Sequence, residues 1–102
     1  MILYDHTGKA VRLPDERLGH FAYRVVYAGL QDKLQETLLN PDLVVQSNWD
    51  EAVTLSYRLY MGTRIGDKWL CIVVKHEGDD AFVLTAYPTD KIKEGTLIWK
   101  KK

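Results

Sequence analysis

Arg17, His20 and Arg24 stand at positions i, i+3 and i+7, a spacing that gathers all three on one face of a helix. An imidazole beside two guanidinium groups suits an anionic ligand such as phosphate. Arg grips phosphate as a planar fork, and His exchanges a proton near neutral pH. The same spacing also serves a solvated basic face. Thr85 and Tyr87 are two residues apart at the end of an apolar run, just before Pro88. On a strand they share a face, and two hydroxyls at a sheet end can bind phosphate oxygens or pass a proton. They also suit an ordinary half-buried strand surface. Arg58 and Lys75 are two further cations on strand-like segments, each able to reach a shared cleft or simply to face solvent.

Other chemistries lack their residues. His6 and His76 have no partners at metal-ligand spacing, and no Cys/His cluster, HExxH helix or acidic calcium loop occurs. GxGxxG, GxxxxGK and GxSxG are absent as well. Neither a metal nor a nucleotide cofactor is therefore expected. The single cysteine, Cys71, lies in the apolar run Leu70-Cys71-Ile72-Val73-Val74 and reads as core. Fourteen basic residues balance fourteen acidic ones, which excludes a strongly basic nucleic-acid glue and an acidic solvating tail. With 46% hydrophobic and 27% charged residues, disorder is not expected. No secretory leader pattern is visible, and the longest apolar run falls far short of the ~20 residues a membrane span needs. The expectation is a cytoplasmic protein in a reducing compartment, not associated with a membrane.

The elements that must position these residues follow from periodicity. The 102 residues suit one domain, 1–102. Ile2 to Leu13 reads as an extended unit turning at Thr7-Gly8-Lys9. Pro14-Asp15-Glu16 reads as a helix start, followed by Leu18, Phe21 and Ala22 at helical spacing. Residues 21–27 also alternate as a strand would. Ala28 to Leu39 reads as a helix with Leu30, Leu34 and Leu38 on one stripe, stopped by Asn40-Pro41. Leu43–Val45 is a short strand. Val53, Leu55, Tyr57 and Leu59 alternate with Thr54, Ser56, Arg58 and Tyr60, the pattern of a half-buried strand. Gly66-Asp67 marks a turn, Trp69–Lys75 a central strand, and Glu77–Asp80 a second turn. Ala81–Tyr87 follows as the paired strand ended by Pro88, and Thr96–Trp99 as an edge strand. The expected class is α+β, with N-terminal helices packed on a roughly four-stranded antiparallel sheet.

Three segments carry a family likeness: GHFAYR with His20 and Arg24, LQETLLNPDLVVQS, and WLCIVVKHEGDDAFVLTAYPTDKIKEGTLIW. Together they cover most of residues 17–99. The chain resembles small cyanobacterial and phage-associated members of the barnase–EndoU–colicin–RelE superfamily of ribonucleases. The resemblance implies N-terminal helices on a four-stranded antiparallel sheet and a metal-independent endoribonuclease, in many relatives a toxin held by an antitoxin or immunity protein. Cleavage by the family runs through attack of the RNA 2′-hydroxyl on the adjacent phosphate, leaving a 2′,3′-cyclic phosphate. By that likeness His20 would be base or acid, Arg24 a phosphate clamp, Thr85 a phosphate-oxygen ligand and Tyr87 the second proton-transfer group. Arg17, Arg58 and Lys75 would be substrate-binding cations. Two alternatives stand beside it. One is a noncatalytic protein- or RNA-binding module with the same fold; the other is a structural domain that self-associates through a sheet edge.

Overall fold

The computed structural model describes residues 1–14 and 29–102. Seven strands form one sheet: β1 (Ile2–Tyr4), β2 (Ala10–Arg12), β3 (Leu43–Ser47), β4 (Val53–Thr63), β5 (Gly66–Glu77), β6 (Asp80–Thr89) and β7 (Gly95–Lys100). A helix, α1 (Leu30–Leu39), lies between β2 and β3 in the chain. The sheet order is β1-β2-β6-β5-β4-β3-β7. All pairings are antiparallel except β2 with β6, which meet in parallel at Arg12 and Phe82.

This corrects the expected architecture. Among the described residues the sheet has seven strands and is mixed, and there is one helix. Two short segments make the difference. Ile2–Tyr4 and Ala10–Arg12 form a hairpin that docks on β6 and extends the sheet at that edge, with Leu3 and Val11 buried in the core. At the far edge β7 pairs with β3. The helix start expected at Pro14-Asp15-Glu16 and the ambiguous stretch 21–27 lie almost wholly outside the described residues.

α1 follows its leucine stripe. Leu30, Leu34 and Leu38 are buried, together with Thr37. They pack on Leu70, Ile72 and Val74 of β5 and Val83 and Ala86 of β6. The opposite sheet face has its own cluster: Val45, Val53, Leu55, Tyr57 and Cys71, backed by Trp69, Val73, Leu84 and Tyr87. Period-two alternation in β4 and β5 thus feeds two cores, one on each face.

The β5–β6 hairpin is closed by Gly78-Asp79 between the paired Glu77 and Asp80. Gly78 has φ 59°, as a tight two-residue turn with right-handed strand twist requires. β6 runs on through Pro88, which pairs with Leu70, instead of ending there. The other neighbour of β6 is β2, whose register reaches only Phe82. Pro88 therefore lies where that side has no β2 ladder, and its missing N–H costs no β2 bond.

Gly95 begins β7 opposite Ser47. A Cβ there would lie 2.3 Å from the Gln46 carbonyl oxygen and 2.4 Å from Val45 Cγ1. The backbone approach that docks β7 on β3 therefore requires glycine. Gly95→Ala should destabilise the protein by about 1–3 kcal/mol through this overpacking, measured by denaturant unfolding. An unchanged midpoint would mean that β7 does not pair in this register.

Candidate functional site

β5 and β6 place three of the expected site residues on the face opposite α1. Val73 pairs with Thr85 and Cys71 with Tyr87, and Lys75 shares the parity of Val73 and Cys71. Thr85 is exposed on this face. Lys75 Nζ lies 2.5 Å from Asp50 Oδ2. That bond, with the Ala52 backbone N–H on the same side chain, holds the Asp50 carboxyl below its usual range.

Tyr87 serves this face differently from the expectation. Its hydroxyl is buried and meets the Cys71 thiol directly across the ladder. Burial pushes that thiol up to about 11, against the opposing pull of its hydrogen bonds with Tyr87 and Tyr57. Tyr57 is itself fully buried, and its hydroxyl, driven upward mainly by burial, accepts the Lys93 backbone N–H at 3.1 Å. The Tyr87 ring, in turn, has the Lys93 ammonium 5.6 Å from its centroid, a cation–π distance.

Lys93 is the link to a groove of about 370 Å³ lined by Ser47, Trp49, Val53, Leu55, Val73 and Lys93, among others. The floor is apolar strand surface from β4 and β5. One wall is the β3–β4 turn, where the Trp49 backbone N–H donates to Ser47 Oγ at 3.1 Å. Trp49 is 96% exposed, an unusual cost for a large aromatic. The face therefore carries a solvent-facing indole and the Lys93 ammonium at the groove, with Thr85 and Lys75 on the neighbouring strands across from Val73 and Val53. Such a surface can stack a base and contact its phosphate.

Arg58 is not part of this group. It points to the α1 face, where Nη1 donates to the Asn40 carbonyl at 2.6 Å and Nε lies 3.2 Å from Glu36 Oε1. Its guanidinium is also 5.9 Å from the Tyr60 ring. The sheet separates it from Lys75, Thr85 and Tyr87, so it ties down the end of α1 and cannot join their cleft. Arg17, His20 and Arg24 lie outside the described residues.

Two contributors were not singled out from the sequence. Trp49 had a local signal, an aromatic inside the polar turn Ser47-Asn48-Trp49-Asp50. Lys93 had none, because its position depends on how the β6–β7 connection crosses Tyr57 and Tyr87. Among the described residues no group of three metal-ligating side chains gathers, and no helix is long and apolar enough to cross a membrane. Comparison with known proteins finds no matching family model, curated protein or solved structure.

Cys71 is fully buried and its thiol is held protonated, so it should resist alkylation in the native protein. At pH 8 a maleimide should label it only after denaturant is added. Rapid native labelling would show that the core behind Tyr87 opens readily.

Proposed function

We propose that this protein is a metal-independent, ribonuclease-like cytoplasmic domain that binds RNA across the sheet face opposite α1. The observation that supports this most is that the exposed Trp49 and Lys93 line one groove, with Thr85 and Lys75 on the strands beside it, paired with its floor residues Val73 and Val53. The overall charge is zero, so attraction to RNA rests on this local clustering and not on a basic surface.

In this reading Trp49 stacks on a base, which is worth about 1–3 kcal/mol per base. Thr85 donates to a non-bridging phosphate oxygen, and Lys93 and Lys75 offset the charge that builds up around phosphorus. A base removes the 2′-hydroxyl proton, and the oxygen attacks the adjacent phosphorus. The bond to the 5′-oxygen breaks as an acid protonates it, leaving a 2′,3′-cyclic phosphate and a 5′-hydroxyl. His20 is the proposed proton-transfer group and Arg24 the proposed phosphate clamp, both on the strength of the family likeness. An antitoxin or immunity protein that covers Trp49 and the groove is the protein partner this reading entails.

A second reading has its own support. Lys75 is engaged by Asp50 and the Tyr87 hydroxyl is turned into the core, an arrangement suited to holding a ligand without turnover. One experiment separates the two. Purified wild type, His20→Ala and Trp49→Ala are incubated with RNA in EDTA, with binding and end chemistry both measured. Cyclic-phosphate ends from wild type, reduced about 10²–10⁴-fold in His20→Ala, support the nuclease. Binding that weakens in Trp49→Ala without any cleavage supports the noncatalytic module. Cleavage or binding unchanged by both substitutions removes the site proposed here.

A further inference from the structure

A second cavity, of about 330 Å³, opens on the α1 face of the sheet, between the β1–β2 hairpin and strands β3–β5. His6 and Lys9 reach it from the hairpin, and Thr54 and His76 from the sheet. The two histidines lacked any local partner in the sequence, yet the fold brings both into one wall. Lys9 Nζ lies 3.3 Å from His76 Nδ1, and His76 Nε2 lies 3.0 Å from Thr54 Oγ1. An ammonium can only donate, so His76 Nδ1 accepts and the ring proton sits on Nε2, donated to Thr54. The Thr54 hydroxyl hydrogen is then available to an acceptor bound in the cavity. His6 Nδ1 is buried with no hydrogen-bond partner, while its ring lies 5.1 Å from that of Trp99. An unsatisfied buried ring nitrogen costs free energy that a ligand would recover.

Asp5 is the carboxylate of this wall. Its Oδ1 accepts from the Thr7 backbone N–H at 2.9 Å, the Thr7 hydroxyl at 2.7 Å and the Lys9 backbone N–H at 3.0 Å. These donors disperse its charge and fix the turn that aims His6 and Lys9 inward. Leu38, Val44, Val74 and Ile98 supply an apolar wall for the remainder of a ligand.

We propose that this cavity binds the phosphate group of a small organic phosphate, gripped by Lys9, Thr54 and His6, and that on binding His76 takes up a proton from solvent at Nδ1. The anion draws the Lys9 ammonium away from His76 Nδ1. That nitrogen is then exposed beside a negative group and takes up a proton. In the ligand-free protein His76 is held below its ordinary value, first by burial and then by Lys9, with Asp5 opposing. His6 and Thr54 complete the groups facing it. The site lies on the other sheet face from the groove proposed for RNA, so it stands or falls without that reading.

The test is ring-nitrogen NMR of the intact protein, titrated with inorganic phosphate against chloride at matched ionic strength. The His6 and His76 signals should shift saturably, and the His76 titration midpoint should rise with phosphate bound. Lys9→Ala should weaken binding about tenfold or more, the loss of one charge-assisted contact. His76→Gln keeps a donor for Thr54 but cannot titrate. Sulfate, dianionic throughout, should bind wild type more tightly as pH falls from 8 to 6, and this dependence should flatten in His76→Gln. Three results would each overturn the proposal: shifts no larger than those with chloride, equal binding by Lys9→Ala, or an unmoved His76 midpoint.

Discussion

Between Val73–Val74 of β5 and Val83–Thr85 of β6 the ladder gains one residue, Leu84, and the alternation of β6 changes phase. Ala81 and Val83 pack beneath α1. Uninterrupted alternation would send Thr85 and Tyr87 after them. Instead Ala86 takes the place under the helix, and Leu84 and Tyr87 join the core of the other face. Re-aiming side chains in this way is what bulges do in antiparallel sheets. The phase change also suits packing. Beside Ile72 and the α1 leucines, Ala86 is nearly fully buried, and a tyrosine there would overfill the layer, at a cost of order 1–3 kcal/mol. A threonine under the helix would bury a hydroxyl, which costs about as much when unpaired. The exposed position of Thr85 and the inward hydroxyl of Tyr87 both follow from this one extra residue.

The α1 face depends on apolar burial first and polar ties second. Leu34 and Leu38 are essentially inaccessible, and full burial of a leucine contributes about 1.5–3 kcal/mol. The Arg58–Glu36 pair is partly exposed on both sides, and such pairs contribute only about 0–1 kcal/mol. Its role is orientation. Glu36 also accepts from the Tyr60 hydroxyl at 2.7 Å, and Thr37 Oγ1 lies 3.1 Å from the same oxygen. The Tyr60 bond and nearby cations hold the Glu36 carboxyl below its ordinary value. At the other end of the sheet, Gln35 exchanges two hydrogen bonds with the backbone of Tyr4, at 3.2 and 3.0 Å. The helix thus satisfies part of the β1 edge, which among the described residues has no further strand beside it.

Much of the local structure was legible because it rests on periodicity. The Leu30-Leu34-Leu38 stripe and the turn after Glu77 appear where the sequence pattern puts them, and Val53 to Tyr60 is a strand as expected, although Ser56 is buried and Leu59 exposed. What was not legible depends on tertiary partners. The extended unit Ile2–Leu13 and its turn were legible, but three-residue strands carry no signal for their partner, so the docking of β2 on β6 was not. Pro88 looked like a strand end because its neighbour on the β2 side was unknown. The turn expected at Gly66-Asp67 falls at Arg64-Ile65, with Gly66 already paired to Thr63. For the site, Thr85, Tyr87 and Lys75 share a face as i, i+2 spacing and strand pairing allow. No spacing could show that Arg58 faces the other way from Lys75 across the ladder.

The two candidate sites on opposite faces are nevertheless joined through one short segment. Lys75 and His76 are consecutive in β5, so alternation sends one to each face. The residues that steady them are also near neighbours, around the start of β4: Asp50 holds Lys75, and Thr54 holds His76. Between them, the Ala52 carbonyl accepts the His76 backbone N–H at 2.7 Å. Trp49, the exposed wall of the groove, belongs to the same turn. A shift of that turn would therefore move the Lys75 partner, the His76 partner and the indole together. The sheet keeps the two surfaces chemically separate, but the 49–54 segment gives them a common mechanical support.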